Sequence, residues 1–215
     1  MVSCGDADGA VTGNTRRFGA SLEKVKQVIE ARPGEIMFGL NMVVSKGKTI
    51  FIGDTSVHEY PSSEQLAEIA ISSARVVRLF GFDPKVAFVS HSTFGQPLTS
   101  RTKHIKNAVD ILKQKNVDFK FDGDMQPDVA LNDKYKELYP FSEIVGNANI
   151  LIMPGQHSAA ISYKMMRELG GAKVIGPLLI GLGQPIEIAP LRSSTSDILN
   201  LASVAAYSAG VIKYE

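Results

Sequence analysis

Two polar segments of the chain combine side chains that could bind an anion. Residues 13–17 place an asparagine, a threonine and two arginines directly before an apolar helical pattern, and residues 191–197 join an arginine, hydroxyl groups and Asp197 at the start of the last helix. Hydroxyl, amide and guanidinium donors at a helix N-terminus suit phosphate, because that end of a helix favours negative charge. Each segment also fits a simple helix cap with solvated arginines. Spacing alone leaves both interpretations open.

Two further loops contain histidine and serine. Residues 90–97 include Ser90 and His91, but the chain has no Gly-x-Ser-x-Gly segment, so a catalytic triad is not supported. Residues 154–158 form a Pro-Gly turn before His157 and Ser158, and residues 176–185 are rich in glycine. Neither segment is a GxGxxG or P-loop motif, so neither indicates a nucleotide site. A loop that contacts a ligand phosphate and a plain surface loop remain alternatives.

Metal binding is not expected. The alternating aspartates of residues 122–128 are similar to a calcium loop, but the segment lacks the central turn glycine and the terminal glutamate that such a loop needs. No group of histidine, cysteine and carboxylate residues has zinc spacing. A turn that hydrogen-bonds neighbouring loops is the default interpretation of residues 122–128.

Composition excludes several classes of partner. The 215 residues include 23 Lys plus Arg and 22 Asp plus Glu, so no excess of positive charge favours nucleic acid or an anionic membrane. The single cysteine, Cys4, cannot form an internal disulfide and fits a reducing compartment. No apolar run reaches the roughly 18 residues of a membrane span, and the N-terminus lacks a signal-peptide pattern. We therefore predict a cytoplasmic protein.

Strands alternate with helices along the chain. Helices are predicted near residues 18–29, 62–80, 101–115, 134–138 and 158–169 and from residue 194 or 195 onward, and strands at 86–90, 117–122, 149–153, 173–180 and 185–188. Residues 36–44 and 49–52 read as an antiparallel hairpin. This alternation predicts an α/β fold with a mainly parallel sheet. Ligands in such folds lie beyond the carboxyl ends of the strands, so the polar loops should converge there.

Several segments carry a family resemblance. Residues 122–131 resemble the Asp-Gly-Glu-Met/Leu-Gln-x-Asp-x-Ala segment of phosphate acetyl- and butyryltransferases, and residues 147–154, 161–164 and 169–185 are similar to further segments of that family in the same order. Residues 5–8, 51–57 and 68–70 are closer to the carboxy-terminal domain of bacterial NADP-dependent malic enzymes. The resemblance implies a three-layer α/β/α architecture of the isocitrate/isopropylmalate dehydrogenase type, as in phosphotransacetylases.

The resemblance also implies a domain organisation. Residues 1–215 correspond to the carboxy-terminal part of a phosphotransacetylase-like domain, with residues about 40–180 as its second subdomain and residues 1–35 and 185–215 as part of its first. The amino-terminal part of that domain and the malic enzyme domains, with NADP and a divalent metal (Mg or Mn), are expected upstream. No cofactor is expected in residues 1–215 themselves, and acetyl-CoA is the ligand that the resemblance implies.

Site residues follow from the same resemblance. The family moves an acetyl group between acetyl phosphate and coenzyme A, with an aspartate that helps to deprotonate the thiol and with arginine and serine that hold the phosphate. Alignment on an Asp-Ile pair places that aspartate at Asp197. The acyl-CoA or phosphate-binding positions implied are Thr15, Arg16, Ser158, Lys164, Arg192 and Ser193.

Three departures from the family pattern lie close to this chemistry. The Ser-Arg-Gly motif is replaced by Pro-Leu-Arg at residues 190–192, so its arginine is either displaced by one residue or lost. A Gly-Asn pair is replaced by two alanines at residues 159–160, and an arginine by Glu23. Together they predict that turnover is lost while an acyl-CoA pocket remains. The leading hypothesis is an acetyl-CoA-sensing regulatory domain that also self-associates as a dimer or higher oligomer. An active phosphate acetyl- or butyryltransferase and a purely structural dimerisation domain are the alternatives.

Overall fold

A computed structural model describes residues 1–212 of the chain. The strands are β1 Ala10–Gly13, β2 Phe38–Ser45, β3 Lys48–Gly53, β4 Lys85–Val89, β5 Lys120–Met125, β6 Ile150–Ile152, β7 Lys173–Ile180 and β8 Ile186–Ala189. The helices are α1 Phe18–Lys26, α2 Ser63–Leu79, α3 Ser100–Lys115, α4 Pro127–Leu131, α5 Gln156–Gly170 and α6 Thr195–Ile212, and two single 3₁₀ turns lie at Val2–Cys4 and Asp133–Tyr135. In this described part, no helix is long and apolar enough to cross a membrane.

The strands form two sheets. The larger one has the order β5-β4-β6-β3-β2-β7, with β5, β4, β6 and β3 parallel and β2 antiparallel to both of its neighbours. Lys46 and Gly47 join β2 to β3 with φ values of 49° and 76°, as a tight two-residue hairpin turn requires. The second sheet pairs β1 with β8 in parallel. The predicted α/β fold, with a mainly parallel sheet and an antiparallel hairpin, is confirmed.

Helices cover both faces of the larger sheet. Successive residues of a strand point to opposite faces, so Phe51 packs with α2 and α3 whereas Ile52 packs in the cluster that includes residues of α4 and α5. A third apolar cluster joins α1 to β8 and the end of β7. This arrangement confirms the three-layer α/β/α architecture. The strands of the larger sheet fall within residues 38–180, while the division into subdomains stays a prediction.

Local signals set most helix boundaries, and two predicted elements are wrong in detail. Ser62 Oγ accepts from Gln65 N at 3.2 Å and Gln65 Oε1 accepts from Ser62 N at 2.8 Å, which is the capping box predicted for α2. The strand expected at 117–122 runs from Lys120 to Met125, because Asn116 ends α3 in a left-handed conformation and the chain needs residues 117–119 to reach the sheet. The helix expected at 134–138 is only a 3₁₀ turn followed by irregular turns.

Candidate functional site

The parallel pairing of β1 with β8 brings the two anion-binding candidates together. Both strands end at the same edge, and Asn14 N donates to Ala189 O at 2.9 Å. Arg192 N in turn donates to Asn14 O at 3.3 Å. Residues 13–17 and 190–197 therefore form one surface at the carboxyl ends of these strands, where a ligand of an α/β fold is expected.

Thr15 and Arg16 are exposed on this surface. They line an open cavity of about 520 Å³ together with Lys24 of α1, and neither Arg192 nor Ser193 belongs to its lining. Ser193 Oγ donates to Pro190 O at 2.8 Å, so its hydroxyl proton is used inside the loop. Arg16 and Lys24 are the charged side chains that the described part of the chain contributes to this cavity, and both are cationic, which suits a phosphate-bearing ligand.

Asp197 caps α6. Its Oδ2 accepts from Ser194 N at 2.9 Å and from Ser194 Oγ at 2.7 Å, and Ser194 Oγ accepts from Asp197 N at 3.2 Å. These reciprocal bonds satisfy donors at the helix start. One carboxylate oxygen of Asp197 is therefore committed to the cap, and this role accounts for the residue without a base function.

Ser158 and Lys164 lie away from that surface. Ser158, in the first turn of α5, lines a different and larger cavity together with Tyr60 and Arg101. Lys164 is exposed, and its Nζ lies 5.8 Å from the centre of the Tyr163 ring. The six binding residues that the family resemblance implies thus lie in three different places. The expectation that all polar loops converge is only partly right.

Loops at β4 and β5 converge as the fold predicts. Asp124, 1% exposed, accepts from Gly95 N at 3.0 Å and from Ser92 Oγ, and Phe94 N donates to Asp124 O at 2.6 Å. Residues 122–128 hydrogen-bond the neighbouring loop 90–97 as expected, but they form the end of β5 and the start of α4 and not the turn that the default interpretation predicts. Within residues 1–212, no group of three or more His, Cys, Asp or Glu residues is placed to hold a metal ion.

Sequence reasoning missed a buried carboxylate that organises the loop after β3. Asp54, 1% exposed, accepts from the backbone N–H groups of Gly39, Ser56, Val57 and His58 at 2.8–3.2 Å. His58 Nδ1 lies 2.8 Å from Asp54 Oδ2. Only the four-residue spacing of Asp54 and His58 could have pointed to this pair, because the other donors belong to the main chain.

Comparison with known proteins decides the family. Residues 1–206 match the family described as phosphate acetyl/butaryl transferase. The chain belongs to this family. It is 47% identical to the NADP-dependent malic enzyme of Rhizobium meliloti over 210 aligned residues. The aligned region covers 98% of this chain and 28% of that protein.

Separate phosphotransacetylases are also similar. The phosphate acetyltransferase of Bacillus subtilis is 32% identical over 97% of this chain and 65% of its own length. A phosphotransacetylase from Streptococcus pyogenes superimposes with a TM-score of 0.92 at 30% identity, over 98% of this chain and 65% of that one. The chain therefore spans less than a third of the malic enzyme relative and about two thirds of these transferases.

The loop after β8 differs from the family motif in side chains but keeps a backbone that suits it. Arg192 has φ 63°, in the left-handed region that glycine adopts without steric cost. Glycine is the third residue of the Ser-Arg-Gly motif, so the backbone of Arg192 is compatible with the alignment that counts back from Asp197. In that alignment the motif arginine corresponds to Leu191, whose side chain is 50% exposed.

Proposed function

We propose that this chain is the phosphotransacetylase-like domain of an NADP-dependent malic enzyme, and that it binds acetyl-CoA as a regulator without transferring the acetyl group. The observation that carries the proposal is the loop after β8, where Leu191 stands in the position of the motif arginine and Arg192 in that of the glycine. Acyl transfer to phosphate builds up charge on oxygen, which requires a fixed positive group. An apolar side chain at residue 191 does not supply it.

The cationic groups that would bind acetyl-CoA, by contrast, are present. Arg16 and Lys24 share the cavity beside β1, and Thr15 adds a hydroxyl group there. These groups suit the phosphates of acetyl-CoA. Regulation of a malic enzyme through this site requires that acetyl-CoA bind one state of the whole protein more tightly than another. NADP and the divalent metal belong to the malic enzyme part of the whole protein in this proposal.

Binding without turnover is tested on one preparation. We expect saturable heat on calorimetric titration with acetyl-CoA. Binding should be about tenfold weaker in Arg16→Gln, because a charge-assisted hydrogen bond is lost. No acetyl-CoA should form from acetyl phosphate and coenzyme A. Arg17→Gln is the matched control, because Arg17 is adjacent but does not line the cavity. An acetyl transfer rate that collapses in Asp197→Asn would establish an active transferase, and absence of heat and of a thermal shift would remove the sensor.

Self-association has a candidate surface on α5. Ala159, Tyr163 and Met166 pack toward the core, whereas Ile161 and Met165 are 56% and 54% exposed on the outward face. Leu169, 82% exposed, extends this outward stripe at four-residue intervals. A helix with two apolar faces needs a second partner.

A second copy of the chain fits this stripe. If two α5 helices cross antiparallel about Met165, Ile161 of each copy lies against Leu169 of the other. Lys164 and Glu168 lie four residues apart on one flank of the stripe, although Glu168 also pairs with Arg167 of its own helix at 2.8 Å. The apolar stripe is therefore self-complementary in this two-fold arrangement, and Lys164 of one copy lies on the same flank as Glu168 of the other.

Met165→Glu should break this association. It places two carboxylates at the two-fold axis, and like charges on an apolar contact oppose association. We expect the parent chain to sediment as a dimer or higher oligomer and the variant to dissociate at the same concentration. Leu138→Glu, which changes a leucine elsewhere that is 66% exposed, is the control and should leave the sedimentation coefficient unchanged. A monomeric parent chain, or an unchanged Met165→Glu variant, would contradict the assignment.

A further inference from the structure

A cavity lies at one edge of the larger sheet. In the described part of the chain, β5 is the outermost strand at this edge, and α3 packs beside it. The edge cavity, as we call it, lies between residues 106–113 of α3 and residues 121–124 of β5, with Phe94 and Phe141 above. Its volume is about 440 Å³, within the size of small-molecule sites in proteins. It shares no lining residue with the cavity of Thr15 or with that of Ser158.

Phenylalanine rings form the apolar wall of the edge cavity. The rings of Phe94 and Phe141 have centres 4.9 Å apart in an edge-to-face arrangement, and Phe121 of β5 adds a third ring. Tyr139, which does not line the cavity, packs against Phe94 with ring centres 5.3 Å apart. Phe141 remains 69% exposed, so its ring has room for a further contact. A ligand ring would add to this group of aromatic contacts with favourable burial.

Hydrogen bonds hold the loop of Phe94 against the sheet. Phe94 has φ 51°, a left-handed conformation that is uncommon for a bulky residue. Its N–H donates to Asp124 O at 2.6 Å, and Gly95 N donates to Asp124 Oδ1 at 3.0 Å. Asp124 is 1% exposed and belongs to β5, so the sheet fixes this loop without a ligand. A preformed wall lowers the cost of ordering a site on binding.

Charges of opposite sign face the edge cavity from its two sides. α3 contributes Lys106 and Lys113. β5 contributes Asp122 and Asp124. In the described part of the chain, no salt bridge joins these lysines to these aspartates, and Lys106 forms none with any carboxylate. The cavity therefore separates an ammonium side from a carboxylate side.

The carboxylate side keeps acceptor capacity for a ligand. Asp122 Oδ1 accepts from Gly123 N at 2.9 Å, but no hydrogen bond within residues 1–212 reaches its Oδ2. Asp124 already accepts from Gly95 N and from Ser92 Oγ. Asp122 is therefore the acceptor for a ligand ammonium group, as Lys106 is the donor for a ligand carboxylate.

We infer that the edge cavity binds an aromatic α-amino acid. Lys106 holds its carboxylate, Asp122 holds its ammonium group, and its ring packs on the phenylalanine wall. An aromatic anion would leave the aspartate side unpaired, and an aromatic amine would leave the lysine side unpaired, whereas a zwitterion satisfies both. The inference goes beyond the proposed function, since neither Arg16 nor Lys24 lines this cavity.

Four probes test the ligand class on the full chain by saturation-transfer NMR. L-phenylalanine carries all three groups, phenylpropionate lacks the ammonium group, phenethylamine lacks the carboxylate, and L-alanine lacks the ring. We expect saturable binding of L-phenylalanine and about tenfold weaker binding of each other probe, because each loses a charged hydrogen bond or the ring contact. Equal affinity for any of the three, or no saturable binding of L-phenylalanine at millimolar concentration, would overturn the inference.

Two variants test the assigned contacts. The side chains of Lys106 and Phe141 are exposed, so both Lys106→Gln and Phe141→Ala should fold. Each should weaken the binding of L-phenylalanine about tenfold. Lys103→Gln is the matched control, because it removes the same charge from an exposed position of α3 outside the cavity, and it should leave the affinity unchanged. Unchanged affinity in Lys106→Gln or in Phe141→Ala would contradict the assignment.

Competition with acetyl-CoA separates this site from the proposed function. L-phenylalanine should stay bound when acetyl-CoA is added, and Arg16→Gln should leave its affinity unchanged, since Arg16 lines the other cavity. Displacement by acetyl-CoA would overturn the claim of a separate site. Binding of L-phenylalanine in a chain that does not bind acetyl-CoA would support the edge cavity and remove the sensor alone.

Discussion

Replacing Asp54 with alanine should lower the free energy of unfolding by about 4 kcal/mol, in the range for a buried charged group whose partners are left unpaired. The carboxylate is 1% exposed and accepts from four backbone N–H groups and approaches the His58 ring at 2.8 Å. One of these donors, Gly39, lies in β2, and the others lie in the loop after β3. The substitution therefore leaves buried donors unsatisfied and frees that loop from the sheet.

Urea unfolding monitored by circular dichroism measures the effect. Asp118→Ala is the matched control, since Asp118 is 79% exposed and pairs with Arg78 at 3.0 Å on the surface. Such a pair contributes about 0.5 kcal/mol. If Asp54→Ala unfolds at nearly the same urea concentration as the control, the backbone N–H groups find other acceptors and the anchoring role is wrong.

Asp54 also illustrates what local sequence can and cannot predict. The capping box of α2 and the apolar face of Leu66, Ile69 and Val77 depend on neighbours along the chain, so their pattern is visible in the sequence. The role of Asp54 depends on main-chain donors that only the pairing of β2 with β3 and a folded loop bring together. A carboxylate that binds backbone N–H groups has no partner side chain that spacing could reveal.

The candidate site divides for a similar reason. Residues 13–17 and 190–197 meet because Ala10 pairs with Ile186, a contact between distant segments that local periodicity does not encode. The sequence identified both segments as anion candidates but did not separate them from Ser158, which lies at the larger sheet. The left-handed backbone of Arg192 was likewise hidden, because a non-glycine residue gives no signal for it.

Glu187→Gln should stabilise the protein at neutral pH and remove part of its pH dependence. Glu187 in β8 is 4% exposed, and burial raises the pKa of its carboxyl group from 4.5 to about 8, despite a hydrogen bond from Leu179 N at 3.0 Å. Between these two values the folded state keeps the proton and the unfolded state loses it. Unfolding then releases a proton, so the free energy of unfolding falls as pH rises from about 4.5 to 8.

The size of this loss of stability follows from how far the pH lies above the pKa of the glutamate in the unfolded chain. At about pH 7 ionisable Glu187 lowers the free energy of unfolding by about 3 kcal/mol, since each pH unit in this window contributes about 1.4 kcal/mol. Glutamine has nearly the same shape, keeps an oxygen that accepts from Leu179 N and cannot ionise. We therefore expect the stability difference between variant and parent to grow from about pH 5 to about pH 8 and to level off above it. A difference that stays constant over this window would show that Glu187 is ionised in the fold.

Glu35→Gln is a control that should change the free energy of unfolding at neutral pH in the opposite direction. Glu35 forms two hydrogen bonds with Arg75 at 2.6 and 2.7 Å, and this interaction holds the pKa of Glu35 below its usual value of 4.5. Its contribution is present above pH 4.5 and is lost as pH falls through the lowered pKa, so Glu35→Gln should cost stability at neutral pH and little in acid. Other carboxyl groups are common to both variants and cancel in the comparison. A pH-dependent stability difference between about pH 5 and pH 8 for Glu187→Gln, with none in that window for Glu35→Gln, would assign the raised pKa to burial of Glu187 itself and not to the net charge of the chain.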